Sequence, residues 1–197
     1  MDILVIVPTE EERKNFIKVL ALKNTHNHYR ALKCGVGKIS AAFVVQDFLS
    51  TNADMRVDMI ALIGYVGGAS GFTPGEIVVP DSCTVWDADT PYSAVFDELH
   101  AVYPLKGSEN VTLLTGDSVV DRRTGRELER TYGPTVIYDM EGAAVAAVAK
   151  RERIPMIAIK VISDIPYHKP LLRHVGVEKF TPSNKDFYRF VDILEQF

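Results

Sequence analysis

The strongest constraint on how this chain folds is a series of short apolar runs, rich in Val and Ile, that alternate with stretches of helical periodicity. Ile3 to Val7, Val57 to Tyr65 and Ile154 to Ile162 are apolar at nearly every position rather than at every second one. A strand with one wet face alternates apolar and polar residues, so runs of this kind need cover on both faces. Tyr29 to Cys34, Glu76 to Trp86, Val111 to Leu114 and Thr135 to Tyr138 read as further strands. Between them, Thr9 and Glu12 form a capping-box pattern ahead of Phe16, Val19 and Leu20. Lys38 to Leu49, Gly125 to Tyr132 and Glu141 to Arg151 also read as helices. Ser183 to Phe197 closes the chain as an amphipathic helix with Phe187, Phe190, Val191 and Leu194 on one face. The reading is α/β: a single three-layer αβα domain over residues 1–197 with a mainly parallel or mixed central sheet. In such a sheet ligands sit beyond the strand C-termini. Thr90 to Glu109 has weak periodicity and is expected to be a long, partner-facing loop.

Composition removes several classes of partner. The net charge is -4, and the basic residues are scattered rather than striped, so neither nucleic acid nor a membrane surface is an expected partner. No run approaches the roughly 18 residues of a membrane span. The first apolar run is about five residues long and leads straight into Glu10-Glu11-Glu12, unlike a signal peptide, which places the chain in the cytoplasm. Cys34 and Cys83 lie in apolar stretches without metal-type spacing and read as reduced, buried thiols. The five histidines are dispersed, Asp87-Ala88-Asp89 lacks the rest of a calcium loop, and no Gly-x-Ser-x-Gly elbow occurs. No metal and no cofactor are expected. Gly35-Val36-Gly37-Lys38-Ile39-Ser40 falls short of both the dinucleotide and the phosphate-loop patterns, and a plain strand-to-helix turn is the better reading.

Acidic residues stand just past the ends of several strands: Glu12, Asp139 with Glu141, and Asp164. Carboxylates so placed converge on the ligand side of the sheet, where one can activate water, one hold hydroxyl groups and one donate a proton. Each also has a structural explanation. Glu12 can serve Thr9 as a capping partner, Glu141 can favour a helix N-terminus, and Asp164 can cap the segment before Pro166.

Taken together, Pro8-Thr9-Glu10-Glu11-Glu12, Cys34 to Ala42, Gly64-Tyr65-Val66-Gly67-Gly68, Tyr138-Asp139-Met140-Glu141 and Val161-Ile162-Ser163-Asp164 resemble the methylthioadenosine/S-adenosylhomocysteine nucleosidases of the nucleoside phosphorylase superfamily. Gly75 to Pro80, Trp86 to Asp89 and Thr115 to Ser118 extend the resemblance over nearly the whole chain. It implies hydrolysis of the N-ribosidic bond of a purine nucleoside, releasing free base. On this resemblance Glu12 and Asp164 are catalytic: Glu12 deprotonates the attacking water, and Asp164 protonates N7 of the departing base with Ser163 orienting it. Asp164 would hold its proton through desolvation by the apolar run before it. Glu141 accepts hydrogen bonds from the ribose hydroxyls, and Met140 packs on the sugar. Tyr65, Val66 and Gly67 complete the substrate-binding set with Val119, Val120 and Lys160. Tyr65 stands where the family has serine, Lys160 where it has arginine, and Val119-Val120 where it has an aromatic for the base; Thr9 replaces a usual methionine. The stretch between Trp86 and Val111 is shorter than in the family, whose corresponding loop reaches across a dimer, and the resemblance implies a homodimer.

Phosphorylase relatives carry a glycine-aspartate-proline motif and an arginine for phosphate. Here those positions read Val7-Pro8-Thr9-Glu10 and Ile60-Ala61-Leu62-Ile63, and three successive glutamates would repel an anion. Hydrolysis is favoured over phosphorolysis. A futalosine-type nucleosidase, a purine nucleoside phosphorylase and a non-catalytic nucleoside-binding protein on the same fold are the alternatives.

Overall fold

A computed structural model describes residues 1–88, 110–166 and 183–197, together with the backbone of 95–96. The elements run β1 (Asp2–Val7), α1 (Glu10–Leu20), β2 (His28–Lys33), α2 (Lys38–Thr51), β3 (Met59–Gly68), β4 (Ile77–Val78), β5 (Ser82–Val85), β6 (Val95–Phe96), β7 (Thr112–Thr115), α3 (Arg122–Tyr132), β8 (Val136–Asp139), α4 (Gly142–Glu152), β9 (Met156–Asp164) and α5 (Asn184–Leu194). Glu76 to Trp86, expected as one strand, is two. β4 pairs antiparallel with β9, while β5 pairs parallel with β7. Pro80 lies between them, and a residue without an N–H cannot continue a ladder. The expected loop from Thr90 to Glu109 lies outside the described residues except for β6, which pairs with β5.

Among the described residues the sheet has nine strands. β2, β1, β3 and β9 are parallel neighbours, as are β5, β7 and β8. The two groups join where the end of β3 pairs antiparallel with β8, Gly67 opposite Tyr138 and Gly68 opposite Ile137. The C-terminal ends of both groups therefore run towards each other and overlap at Gly67, which also registers with Asp164 of β9.

The continuous apolar runs are covered on both faces. Val5, Val7, Ala61, Ile63, Ile157 and Ile159 pack under α1 and α5 through Phe16, Val19, Phe187, Phe190 and Leu194. Leu4, Ile6, Leu62, Ala158 and Ile162 face α2 and α4. Each side chain of this size removed from water contributes about 1.5–3 kcal/mol, so the layers hold the strand ends in fixed register. At the entrance to α4, Gly142 lies so close to Leu113 of β7 that a Cβ would collide with it. That approach brings the residue before it, Glu141, down to the strand ends.

Candidate active site

A cleft of about 280 Å³, open to solvent, lies over the overlapping strand ends. Its wall comes from the turn after β1 (Pro8, Thr9, Glu12), the end of β3 (Tyr65, Val66, Gly67), the loop after β7 (Ser118, Val119, Val120), β8 and its exit (Tyr138 to Glu141), and the end of β9 (Ser163, Asp164, Pro166). The strand-end carboxylates thus meet in one place.

Glu12 is buried, 5% exposed, and its Oε2 accepts the Thr9 backbone N–H at 2.9 Å while its own N–H donates to Thr9 Oγ1 at 3.2 Å. The capping box is complete, and the same carboxylate faces the cleft. Its structural and chemical explanations therefore coexist. Gly64, at φ +152°, makes this possible: a Cβ there would stand 2.9 Å from Glu12 Oε1. Burial raises the proton affinity of Glu12 above that of an ordinary glutamate, against the opposing bonds from Thr9 and the charge of Lys160. The neighbouring acids behave differently. Glu10 pairs with Arg13 at 2.9 Å and Glu11 is exposed, so any repulsion of an anion rests on Glu12 and not on three glutamates.

Glu141 occupies the N-cap of α4, but its side chain makes no cap bond there. Instead Asp139 receives the Gly142 N–H at 3.0 Å, and Thr115 Oγ1 receives the Ala143 N–H at 2.9 Å while donating to Asp139 Oδ1 at 2.7 Å. Capping falls to Asp139, which frees Glu141. Glu141 Oε1 accepts the N–H of Gly37 at 2.9 Å, from a turn whose φ of +98° suits glycine. Desolvation, reinforced by the charge of Asp139, pushes the Glu141 carboxyl up to about 7. The Gly35-to-Gly37 segment thus supports the site through its backbone. Lys38 is held by Asp87 and by Asp117 at 3.3 Å, so its charge is matched by protein carboxylates rather than available to a phosphate.

Ser163 Oγ lies 2.6 Å from Asp164 Oδ1 and 2.9 Å from the Val66 carbonyl. Asp164 is exposed at the cleft, so the apolar run before it does not bury it. The expectation of desolvation is corrected here: residues 156–162 lie within the sheet, and β9 carries its last residue out of that cover. Tyr65 lines the cleft, yet its hydroxyl is engaged at α5. It accepts the Ser183 N–H at 3.0 Å and donates to the buried Asp186 at 3.2 Å, and its ring meets Phe187 edge-on. Val119 is 84% exposed, and Val120 and Met140 are half-buried.

Lys160 is the sequence-derived site residue that does not line the cleft. It is 0% exposed inside β9, with Nζ 3.0 Å from Asp139 Oδ2. The sheet interior lies on its side of the strand, so it stands behind the carboxylates rather than before a substrate. Val36 and Tyr138 line the cleft and, although both lie in segments that carry the resemblance, neither is among the expected site residues. Val36 lies in a turn with no periodicity to mark it, and Tyr138 counts in sequence as one more apolar strand residue. Cys34 and Cys83 are both free and buried.

Comparison with known proteins gives this arrangement relatives. A phosphorylase superfamily model matches residues 106–186. The chain is similar to the 5'-methylthioadenosine/S-adenosylhomocysteine nucleosidase of Thermotoga maritima, 29% identical over 140 residues, covering 66% of this chain and 63% of that one. The match therefore spans a little under two thirds of that relative's length. The corresponding nucleosidase of Listeria welshimeri is 30% identical over 160 residues, covering 68% of this chain and 67% of the other. The fold is shared with a Campylobacter jejuni 5'-methylthioadenosine/S-adenosyl homocysteine nucleosidase, at 14% identity, a TM-score of 0.77 and coverage of 100% and 97%. A relative at this identity and coverage shows that the chain belongs to the 5'-methylthioadenosine/S-adenosylhomocysteine nucleosidase family, within the phosphorylase superfamily whose model it matches.

Proposed function

We propose that this chain, acting as a single-domain N-glycosyl hydrolase, cleaves the N-ribosidic bond of a purine nucleoside of the methylthioadenosine or adenosylhomocysteine type. The observation that carries the reading is the meeting of Glu12, Glu141 and Asp164 on one cleft in three different environments. Bond breaking builds positive charge on the sugar and negative charge on the base. Glu12, buried and of raised proton affinity, is suited to take a proton from water. Glu141, anchored by Gly37, offers carboxylate oxygens to the ribose hydroxyls, with Met140 beside the sugar. Asp164, backed by Ser163, delivers a proton to the base. Help from acid and base groups of this kind is typically worth about 10²–10⁴ in rate. Val66, Gly67, Val119 and Val120 line the remaining wall, where the base is expected to lie. Water is the favoured acceptor over phosphate because, among the described residues, the lysines nearest the cleft, Lys38 and Lys160, are already paired with aspartates.

A homodimer fits the same reading. Val36, Ile39, Phe43 and Val119 are large apolar side chains, each more than half exposed, beside the cleft or on α2 next to it, and a second copy would cover them. No helix among the described residues is long and apolar enough to cross a membrane, and buried free thiols suit the reducing cytoplasm we assign. The test is chromatographic release of free base from methylthioadenosine, adenosylhomocysteine, adenosine, inosine and a futalosine-type nucleoside, each with and without phosphate. Phosphate-independent release is expected. Release only with phosphate would make the chain a phosphorylase, and binding without release would make it a nucleoside-binding protein.

A further inference from the structure

We infer that Lys160 is a positioning residue for the proposed hydrolysis, a buried counter-ion that favours the charged forms of the cleft carboxylates Glu141 and Glu12 without touching the nucleoside. This rests on the hydrolytic reading of the cleft. Lys160 lies in the middle of β9 between Gly64 of β3 and Val78 of β4, and no part of it reaches solvent. A buried ammonium is costly unless matched by charge and hydrogen bonds. Its one short contact is the 3.0 Å approach to Asp139 Oδ2, and Nζ makes no well-directed hydrogen bond among the described residues. Asp139 does not need a lysine to be satisfied. It already receives Thr115 Oγ1 and the Gly142 N–H.

What does require a cation is the surrounding set of acids. Asp139 on β8, Glu141 at the entrance to α4 and Glu12 on α1 are all buried. Among the described residues the other titratable groups around this space are the Cys34 thiol after β2, pushed up to about 12 by burial, the Cys83 thiol on β5, raised by burial and by the charge of Asp139, and the Tyr65 phenol on β3, also raised and bonded to Asp186; the thiols and the phenol are neutral at physiological pH. Three carboxylates against one ammonium leave excess negative charge in a low-dielectric interior, where charges act strongly. The field of Lys160 opposes protonation of both Glu12 and Glu141, while the charge of Asp139 favours protonation of Glu141. Lys160 and Asp139 therefore act on the ribose-side carboxylate with opposite signs. A pair that only braced β8 against β9 would lack that property.

The opposite signs supply the test. KM and kcat for the released base are measured from pH 5.5 to 9 in the wild type, Lys160→Met, Lys160→Arg and Asp139→Asn. Lys160→Met is expected to move the acid limb of 1/KM up by at least about one pH unit, raising KM at pH 7 at least about fivefold with recovery towards pH 9. Lys160→Arg keeps the charge and should leave the limb near its wild-type place. Asp139→Asn should move it to lower pH. Losses independent of pH, or shifts of the same sign in Lys160→Met and Asp139→Asn, would overturn the inference and leave a structural brace. If Lys160→Met does not accumulate folded, Lys160→Gln is read in its place, with the same upward shift expected and a loss independent of pH overturning the inference. If the wild type releases no base from any nucleoside, the hydrolytic reading fails separately. The electrostatic role is then read from the titration of Glu141 by carboxyl-carbon NMR, in the wild type, Lys160→Met and Lys160→Gln, where a midpoint unmoved by loss of the lysine charge would overturn it.

Discussion

Replacing Glu141 with glutamine should stabilise the fold while damaging the site, and the size of the gain should depend on pH. In the folded chain the Glu141 carboxyl titrates at about 7, against an ordinary value of 4.5, because it is desolvated and lies beside Asp139. Between those two values the folded state binds a proton that the unfolded state has released. The contribution of this group to stability therefore falls as pH rises from 4.5, and the loss is complete above about pH 7. The interval is two and a half pH units, and at 1.36 kcal/mol per unit the wild type gives up about 3 kcal/mol at pH 8. Glutamine imitates the protonated acid and can still accept the Gly37 N–H through its carbonyl oxygen. Urea unfolding at pH 4.5 and pH 8 should show the two proteins nearly equal at the lower pH, and the variant about 3 kcal/mol more stable at the higher. The same change should weaken nucleoside binding by about one to two factors of ten, since hydrogen bonds to a charged acceptor contribute about 1.5–3 kcal/mol each. A stability difference that is the same at both pH values would refute the reasoning, because a packing effect has no reason to follow the titration of one carboxyl.

Three further outcomes are expected. Asp164→Asn should abolish turnover while leaving nucleoside binding largely intact; calorimetric binding beside an end-point assay for free base separates the two, and retained turnover would remove Asp164 from its role. Gly64→Ala places a methyl group 2.9 Å from Glu12 Oε1 at a φ of +152°. We expect kcat to fall by about a factor of ten or more as Glu12 is displaced, at a backbone cost of about 1–2 kcal/mol, read from steady-state kinetics and thermal unfolding. Tyr65→Phe removes the acceptor of the Ser183 N–H and the donor to buried Asp186, and should cost about 1–3 kcal/mol. Hydrogen exchange should localise that loss to the first turn of α5, and unchanged protection there would contradict it.

The layered fold was readable because it rests on local pattern. Uninterrupted apolar runs demand cover on two faces, and the helices that supply it announce themselves by spacing, as Phe187, Phe190, Val191 and Leu194 do along α5. The break at Pro80 was available in principle, since a missing N–H is visible in sequence, but an apolar run on either side of it outweighed one residue. The site was legible only up to the point where residues distant in sequence begin to act on one another. That Glu12, Glu141 and Asp164 stand at strand ends follows from the pattern; which of them is buried does not. Glu12 is enclosed because Gly64, 52 positions further on, lets the backbone of β3 lie against its carboxylate. Glu141 is free of capping duty because Asp139 and Thr115 perform it. Lys160 reads as a substrate contact because it stands where the resembling family has an arginine, yet burial within β9 and the pairing with Asp139 turn it inward. Burial and charge pairing are properties of the assembled layers, and they assign different chemistry to carboxylates that a one-dimensional reading leaves equivalent.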